Sequence, residues 1–360
     1  MSKISSSVKA TCVFAMLLFG CLAWSQSSNV SVFAQGFNNP RGLKFGPDGY
    51  LYVAEGGAAG SLSTIGLCDQ ANGAGPYTGG FTARISKVAP NGAVSTLVDG
   101  LPSSQTNEAL GHLVSGVADL AFIDGKLYAI IAGAGCSHGL KDTNNTVIRV
   151  NSDGAWSQVA NLSAFQKSHP VANPEPGDFE PDGTWYSMVA AGGVLYAVEP
   201  NHGELDAITT DGRIRRISDI SRSQGHIVPT AIVSDRENFF VGNLERFPIQ
   251  GASSKVLKIT RNGEITTIAI DFSTILGLAI DSKHRIYVLE NTTGNPFPTP
   301  GTGKVLRIDG KHKYTEIATG LNLPTAMTFG PDGNLYVSNW GFGPPPVGIG
   351  QVVKITLPKD

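Results

Sequence analysis

The sequence carries almost no net charge. Its 360 residues hold 27 Lys and Arg against 29 Asp and Glu, a formal balance of −2. Without a basic excess it has no electrostatic footprint for nucleic acid. Long apolar runs are missing too, apart from Cys12–Trp24 near the N-terminus, which is too short for an ordinary membrane span. There are only four cysteines. No histidines are spaced with them as a zinc site requires. No G-x-S-x-G, H-E-x-x-H or Walker loop occurs. No segment after the N-terminal stretch shows a helical period. What the chain has in quantity is glycine (44), proline (21) and a hydrophobic fraction of 41%. That combination suits a β fold of many short strands, tight turns and an ample core.

The N-terminus reads as an export signal. Lys3 and Lys9 precede the apolar stretch, and small residues follow it. Ala23-Trp24-Ser25 offers one cleavage site, leaving Gln26 first. Leu18-Phe19-Gly20-Cys21 offers another, similar to a lipoprotein box, although Phe19 is bulky there. The expected organisation is a leader over 1–25 (or a lipoprotein signal ending at 20, with a lipid anchor on Cys21) and one domain over 29–360. The product is periplasmic or secreted, monomeric, and without a transmembrane span. Processing leaves Cys68 and Cys136. In an oxidising compartment a disulfide between them is the expectation, and two unrelated thiols the alternative.

Six strand pairs recur, centred on Leu51-Tyr52-Val53, Leu127-Tyr128-Ala129, Leu195-Tyr196-Ala197, Phe239-Phe240-Val241, Ile286-Tyr287-Val288 and Leu335-Tyr336-Val337. Each unit can be written as four strands, A to D. In the first, A is Gly42–Phe45, B Tyr50–Glu55, C Ala83–Val88 and D Ala93–Val98. Gly46-Pro47-Asp48-Gly49 turns A into B, and the last unit repeats it as Gly330-Pro331-Asp332-Gly333. An all-strand repeat of this length predicts an all-β, six-bladed β-propeller of four-stranded antiparallel blades. The sixth unit stops after strand C, Gln351–Leu357. Its missing D strand is at the other terminus, because Val30–Pro40 resembles Tyr314–Pro324, where strand D of unit five leads into unit six. The N-terminal strand therefore closes the ring on the last blade. An open solenoid would have no need of that permuted strand.

Strands that run up and down place the A–B and C–D turns on one face and the B–C and D–A connections on the other. The first set is short throughout. Insertions fall in the second, at 56–80, 132–144, 244–254, 291–303 and 340–350, and after Gly100 and Leu162. That face is the expected working face, since binding groups sit on loops held by a rigid scaffold. Three residues after each strand-B aromatic come Glu55, Ile131, Glu199, Asn243, Glu290 and Asn339. The five other than Ile131 can accept hydrogen bonds; they could ring the channel mouth as polar ligands, or bond the backbone of their own connections. Arg41, Asp119, Tyr186 and Thr230 lie near the strand-A entrances. His112, His138, His202 and His226 lie in the loops. Trp340 and Phe342, beside Pro344–Pro346, could form an aromatic platform. Asp178-Phe179-Glu180-Pro181-Asp182-Gly183 looks like the start of a calcium loop, but its twelfth position is Val189 rather than an acid. No cofactor is expected.

The repeat resembles NHL-type propellers with their G-x-L-Y-V second strand. It is more closely similar to the ScyD/ScyE family, propellers associated with scytonemin biosynthesis clusters. Asn39-Pro40-Arg41-Gly42-Leu43, Trp185–Glu199, Phe240–Leu244 with Phe247-Pro248, Tyr287–Glu290 and Leu335–Asn339 carry that resemblance. It implies an exported six-bladed propeller linked to an extracellular metabolite, and brings no catalytic residues. The leading expectation is a non-catalytic binding or accessory protein whose partner is a protein, a glycan or a small metabolite. The alternative is a metal-dependent hydrolase resembling the six-bladed lactonases, with Glu55, Glu199, Asn243, Glu290 and Asn339 as oxygen ligands.

Overall fold

In the computed structural model, residues 26–342 and 348–358 are described. The segment 1–25 expected to be a leader, with Cys21, and Pro344–Pro346 lie outside them. Six antiparallel sheets follow one another around a ring. Blade one is Pro40–Phe45, Leu51–Glu55, Thr78–Val88 and Val94–Gln105, with a short fifth strand, Val114–Ser115. The strand-A edge of each blade packs on that of the next, and Ala326–Phe329 of blade six returns to Pro40–Phe45 of blade one.

The seam is made as the permuted repeat predicts. Val30–Phe37 pairs antiparallel with Gly350–Ile355 as strand D of blade six. Its register matches its sequence counterpart in blade five. Ala34 faces Val352 and Phe37 faces Gly350, as Ala318 faces Val305 and Leu321 faces Gly303. The outer rim repeats across the seam as well. In blade three's C–D turn, Gly212 has φ +91°, and a Cβ there would collide with the carbonyl of Val159 in the preceding blade. Gly92, with φ +85°, meets the carbonyl of Phe33 in the N-terminal strand in the same way.

The recurrent aromatic and the turn aspartate do one job together. Tyr52 reaches the next blade edge-on to Phe122, with ring centroids 5.2 Å apart. Its hydroxyl donates to Asp48 Oδ2 at 2.9 Å, and Lys87 closes the group with an ion pair of 2.7 Å to the same carboxylate. Tyr336, Asp332 and Lys354 repeat this at blade six, where the ring meets Phe45 of blade one at 4.9 Å. The Phe-Gly-Pro-Asp-Gly hairpin therefore anchors an inter-blade aromatic contact as well as turning the chain.

Two details depart from the sequence reading. Strands C and D of blade one run several residues further, because Thr78–Gly80 continue the ladder with Ser103–Gln105. Helical segments also occur. Leu162–Ser168 makes two turns, capped by Asn161 Oδ1 accepting from Ala164 N at 2.9 Å, and Ser221–Gln224 makes one. Neither is long enough to display a countable period. Among the described residues no helix is long and apolar enough to cross a membrane.

The rim contact is directly testable. Gly212→Ala adds a steric clash with Val159 to left-handed strain of ~1 kcal/mol. Gly49→Ala, at φ +79° with nothing near its Cβ, carries the strain alone. Thermal unfolding is expected to place Gly212→Ala several degrees below Gly49→Ala; equal melting temperatures would contradict this packing.

Candidate functional site

The loop-rich face holds a cavity of about 390 Å³ at the channel mouth. Its walls come from the B–C connections of blades one, three, four and six, and from D–A connections one-to-two, two-to-three and three-to-four. An apolar cluster of Leu276, Leu323 and Phe342, with Leu113, Tyr186, Leu244 and Phe247 packed against it, adjoins the cavity and shares part of its lining. Beside it lies an apolar annex of about 280 Å³, sharing Leu110, Leu113, Phe247 and Phe342 with the main cavity. A larger depression, about 580 Å³, lies on the opposite face between blades five and six. It is bounded by the short turns 281–285 and 330–333 and by charges already paired, such as Arg307 with Asp309, so it has no loop-built wall.

Of the residues singled out in the sequence, Arg41, Tyr186, Thr230, Asp178, Glu180 and Phe342 border the cavity. Arg41 lies at the start of the innermost strand and is 5% exposed. It donates to Tyr186 Oη at 3.1 Å and to the carbonyl of Val114. Its Cζ sits 5.6 Å from the Tyr186 ring centroid and 5.8 Å from that of Phe342. Burial raises the Tyr186 pKa, opposed by the Arg41 charge, so the phenol stays neutral.

The ring of strand-B residues requires a correction. Glu55, Glu199, Asn243, Glu290 and Asn339 do not border the cavity; each is buried in a socket of its own blade. Glu55 accepts from Asn38 N at 2.6 Å and from Arg84 Nε at 2.7 Å. Glu199 accepts from Thr184 N at 2.8 Å and His202 N at 2.6 Å. Asn243 donates to Ile227 O at 2.9 Å and accepts from Lys255 N at 2.8 Å. Glu290 accepts from Ser273 N at 2.5 Å and pairs with Lys304 at 3.2 Å, and Asn339 accepts from Asn322 N at 2.8 Å. These side chains staple the end of strand B to the incoming D–A connection. Free backbone N–H groups at a buried strand end need such acceptors. Asp119 is also structural: it accepts from Ser187 Oγ at 2.9 Å and Met188 N at 2.7 Å, joining the inner edges of blades two and three.

The histidines separate. His112 is exposed, and Trp340 stands outside both cavities. His202 is buried against Phe179 and bonded to Glu180 O at 3.0 Å, and burial lowers its pKa. His226 donates to Asp178 Oδ2 at 2.8 Å behind the cavity wall. His138 lies between Ser104 Oγ, 3.0 Å from Nδ1, and Glu180 Oε2, 3.4 Å from Nε2. Burial opposes its protonation, but the bond and charge of Glu180 outweigh it and the His138 pKa is raised. A serine, a histidine and a glutamate in line invite a hydrolase reading. Ser104, however, is wholly buried and borders no cavity, so no substrate carbonyl can reach its oxygen.

The acids of the suspected calcium loop point apart. Asp178 goes to His226, Glu180 to Tyr77 Oη at 2.7 Å, and Asp182 to Ser137 N at 2.8 Å and Lys167 Nζ at 2.6 Å. Among the described residues no group of three or more His, Cys, Asp or Glu is arranged to hold a metal ion. The oxygen ligands named for the lactonase alternative therefore do not fit a shared cation. Cys68 and Cys136 are joined as a disulfide with Cα atoms 6.3 Å apart, tying the B–C loops of blades one and two beside the funnel. Tyr77, Leu113, Glu245 and Phe247 are cavity residues that sequence reasoning did not single out as site residues; only the elaborated loops that carry them pointed to them.

No family model and no curated protein matches the sequence. Solved structures do match in fold. A structural genomics protein of unknown function from Bacteroides thetaiotaomicron is 13% identical with a TM-score of 0.56, over 92% of this chain and 76% of that one. A gluconolactonase from Xanthomonas campestris is 9% identical with a TM-score of 0.55, over 91% and 89%. A glucose dehydrogenase is 13% identical with a TM-score of 0.55, over 91% and 99%. At these identities the likeness establishes the six-bladed propeller and nothing narrower. It does not extend to the ScyD/ScyE family.

Blade three holds a buried acidic group behind the funnel. Glu199 faces Glu204 across the ladder, and Asp206 follows two residues on. Burial pushes Glu199 and Glu204 up to about 7 and raises Asp206 well above its ordinary value, reinforced by the Glu204 charge. The folded chain thus holds protons that the unfolded chain releases near its ordinary carboxyl values. Stability from this group is present at the acid end and lost as pH rises through about 7. The melting temperature is expected to fall by several degrees between about pH 5 and about pH 8. Asp206→Asn keeps an acceptor for Trp185 Nε1, which lies 3.3 Å from Oδ2, and is expected to flatten that fall. An unchanged slope in the variant would contradict the assignment.

Proposed function

We propose that this chain is an exported, non-catalytic binding protein that seats a small organic molecule in the funnel on its loop-rich face. The observation that carries this reading is the funnel itself. Seven connections converge on one concave space, with an apolar cluster of Leu276, Leu323 and Phe342 beside it and most of the polar groups at the wall held by protein partners. Concave sites with apolar walls and a few placed polar groups are the usual form of small-molecule sites. Export is supported by the N-terminal leader pattern and by the Cys68–Cys136 pair. The motifs shared with ScyD/ScyE propellers support a role beside an extracellular metabolite pathway.

The lactonase alternative draws on the gluconolactonase and glucose dehydrogenase neighbours, and fold likeness alone does not transfer an activity. It would require Glu199 and Glu290 to leave their backbone partners and converge.

Thermal shift against a panel of organic acids, sugars and lactones, with product analysis of each mixture, separates the two. Binding is expected to raise the melting temperature by several degrees at ligand about 100-fold above Kd, with no product formed. Divalent-cation-dependent lactone hydrolysis, lost in Glu290→Gln, would overturn the binding reading.

A further inference from the structure

Arg41 is a buried cation without an anion. It is 5% exposed, and among the described residues no carboxylate lies within ion-pair range of its guanidinium. The other partly buried arginines of the loop face have one. Arg84 pairs with Glu55 and Arg216 with Glu204. Asp119, which lies against the neighbouring Gly42, is turned to Ser187 and Met188 N. Among the described residues, two of the five N–H donors of Arg41 find a protein acceptor, Tyr186 Oη and Val114 O. A cation held this deep is unfavourable unless something supplies the opposite charge. Arg41 borders the funnel, so the space beside it is where that charge can come from.

The surroundings say what else the ligand carries. Tyr186 and Phe342 flank the guanidinium, and Phe342 stacks towards Phe247 at 6.4 Å with an interplanar angle of 23°. The annex beyond them is walled by Leu110, Leu113, Phe247 and Phe342. The funnel lining also carries Glu175, Asp178, Glu180 and Glu245. Of these, Glu175 is paired with Arg246, Asp178 with His226 and Glu180 with Tyr77, while Glu245 accepts from Asn243. They leave one corner for a negative group and oppose a second.

We infer that the funnel binds an amphipathic organic mono-anion, with its carboxylate or sulfonate on Arg41 and its aromatic or aliphatic body on Phe342, Phe247, Leu110 and Leu113. This rests on the binding reading above and names its ligand class. A charged hydrogen-bonded contact of this kind is worth roughly tenfold in affinity or more.

Two fluorescent probes with the same ring system test it. Anilinonaphthalene sulfonate carries the anion, and N-phenylnaphthylamine is its neutral counterpart. Titrated into the purified full-length protein, the sulfonate is expected to bind at least about tenfold more tightly than the neutral probe. Arg41→Gln is expected to lose about tenfold for the sulfonate and leave the neutral probe within about threefold, and Arg41→Lys to restore most of the loss. Phe247→Ala is expected to weaken both. Equal affinity of the two probes for the unmodified protein, or equal losses for both in Arg41→Gln, would overturn the anion assignment while leaving the funnel a binding site. The unmodified-protein comparison stands even where Arg41→Gln does not fold. Failure of Phe247→Ala to weaken either probe would overturn the funnel as the site, and the binding reading with it.

Discussion

No blade of this propeller has a core of its own. Each of six apolar clusters is shared between neighbours, so that Tyr52, Ile85 and Val98 of blade one pack with Leu120, Leu127 and Ile148 of blade two, and so on around the ring. A sheet four strands wide cannot bury both faces alone, and its neighbours must do it. In the sixth cluster Ala34 and Phe37 of the N-terminal strand join Tyr336 and Val352 of blade six and Leu43, Leu51 and Val53 of blade one. Everything else on the molecule inherits its position from that closure. With the ring shut, strand parity places every long connection on one face.

The loops can be long because the scaffold takes over their backbone polar groups. Glu55, Glu199, Asn243, Glu290 and Asn339 each bind an N–H or carbonyl where a D–A connection enters the next blade. Each of these groups is held by at least one backbone partner, and their fixed geometry holds the funnel wall. Arg41 is the exception. Its strand position is set by the same scaffold, but its charge is left for the cavity to answer. The strand-end acceptors are held within the fold, whereas Arg41, which has no carboxylate in ion-pair range among the described residues, borders the open space.

Much of the architecture was legible because it repeats. The six B-strand aromatics, the two Gly-Pro-Asp-Gly turns and the likeness of Val30–Pro40 to Tyr314–Pro324 are local patterns with a direct structural meaning. The working face followed from counting strands. The site was less legible. A polar residue three positions after an aromatic marks a strand end, but not whether its side chain turns to the channel or to its own connection. Arg41 was visible as a strand entrance; its lack of an anion depends on where Asp119, Tyr186 and Phe342 stand in space. Leu113 carried no signal beyond lying in an elaborated loop, and Phe247 was marked by the resemblance but not as a site residue. The short helix Leu162–Ser168 was hidden by its length.

Ring closure is the claim on which the face, the funnel and the ligand class all depend, and amide hydrogen exchange across the seam tests it most directly. The amides of Val30–Phe37 that pair with Gly350–Ile355 are expected to exchange as slowly as those of Lys313–Leu321, the equivalent strand of blade five. Rapid exchange at Val30–Phe37 beside slow exchange in the other outer strands would show an open seam and contradict the account.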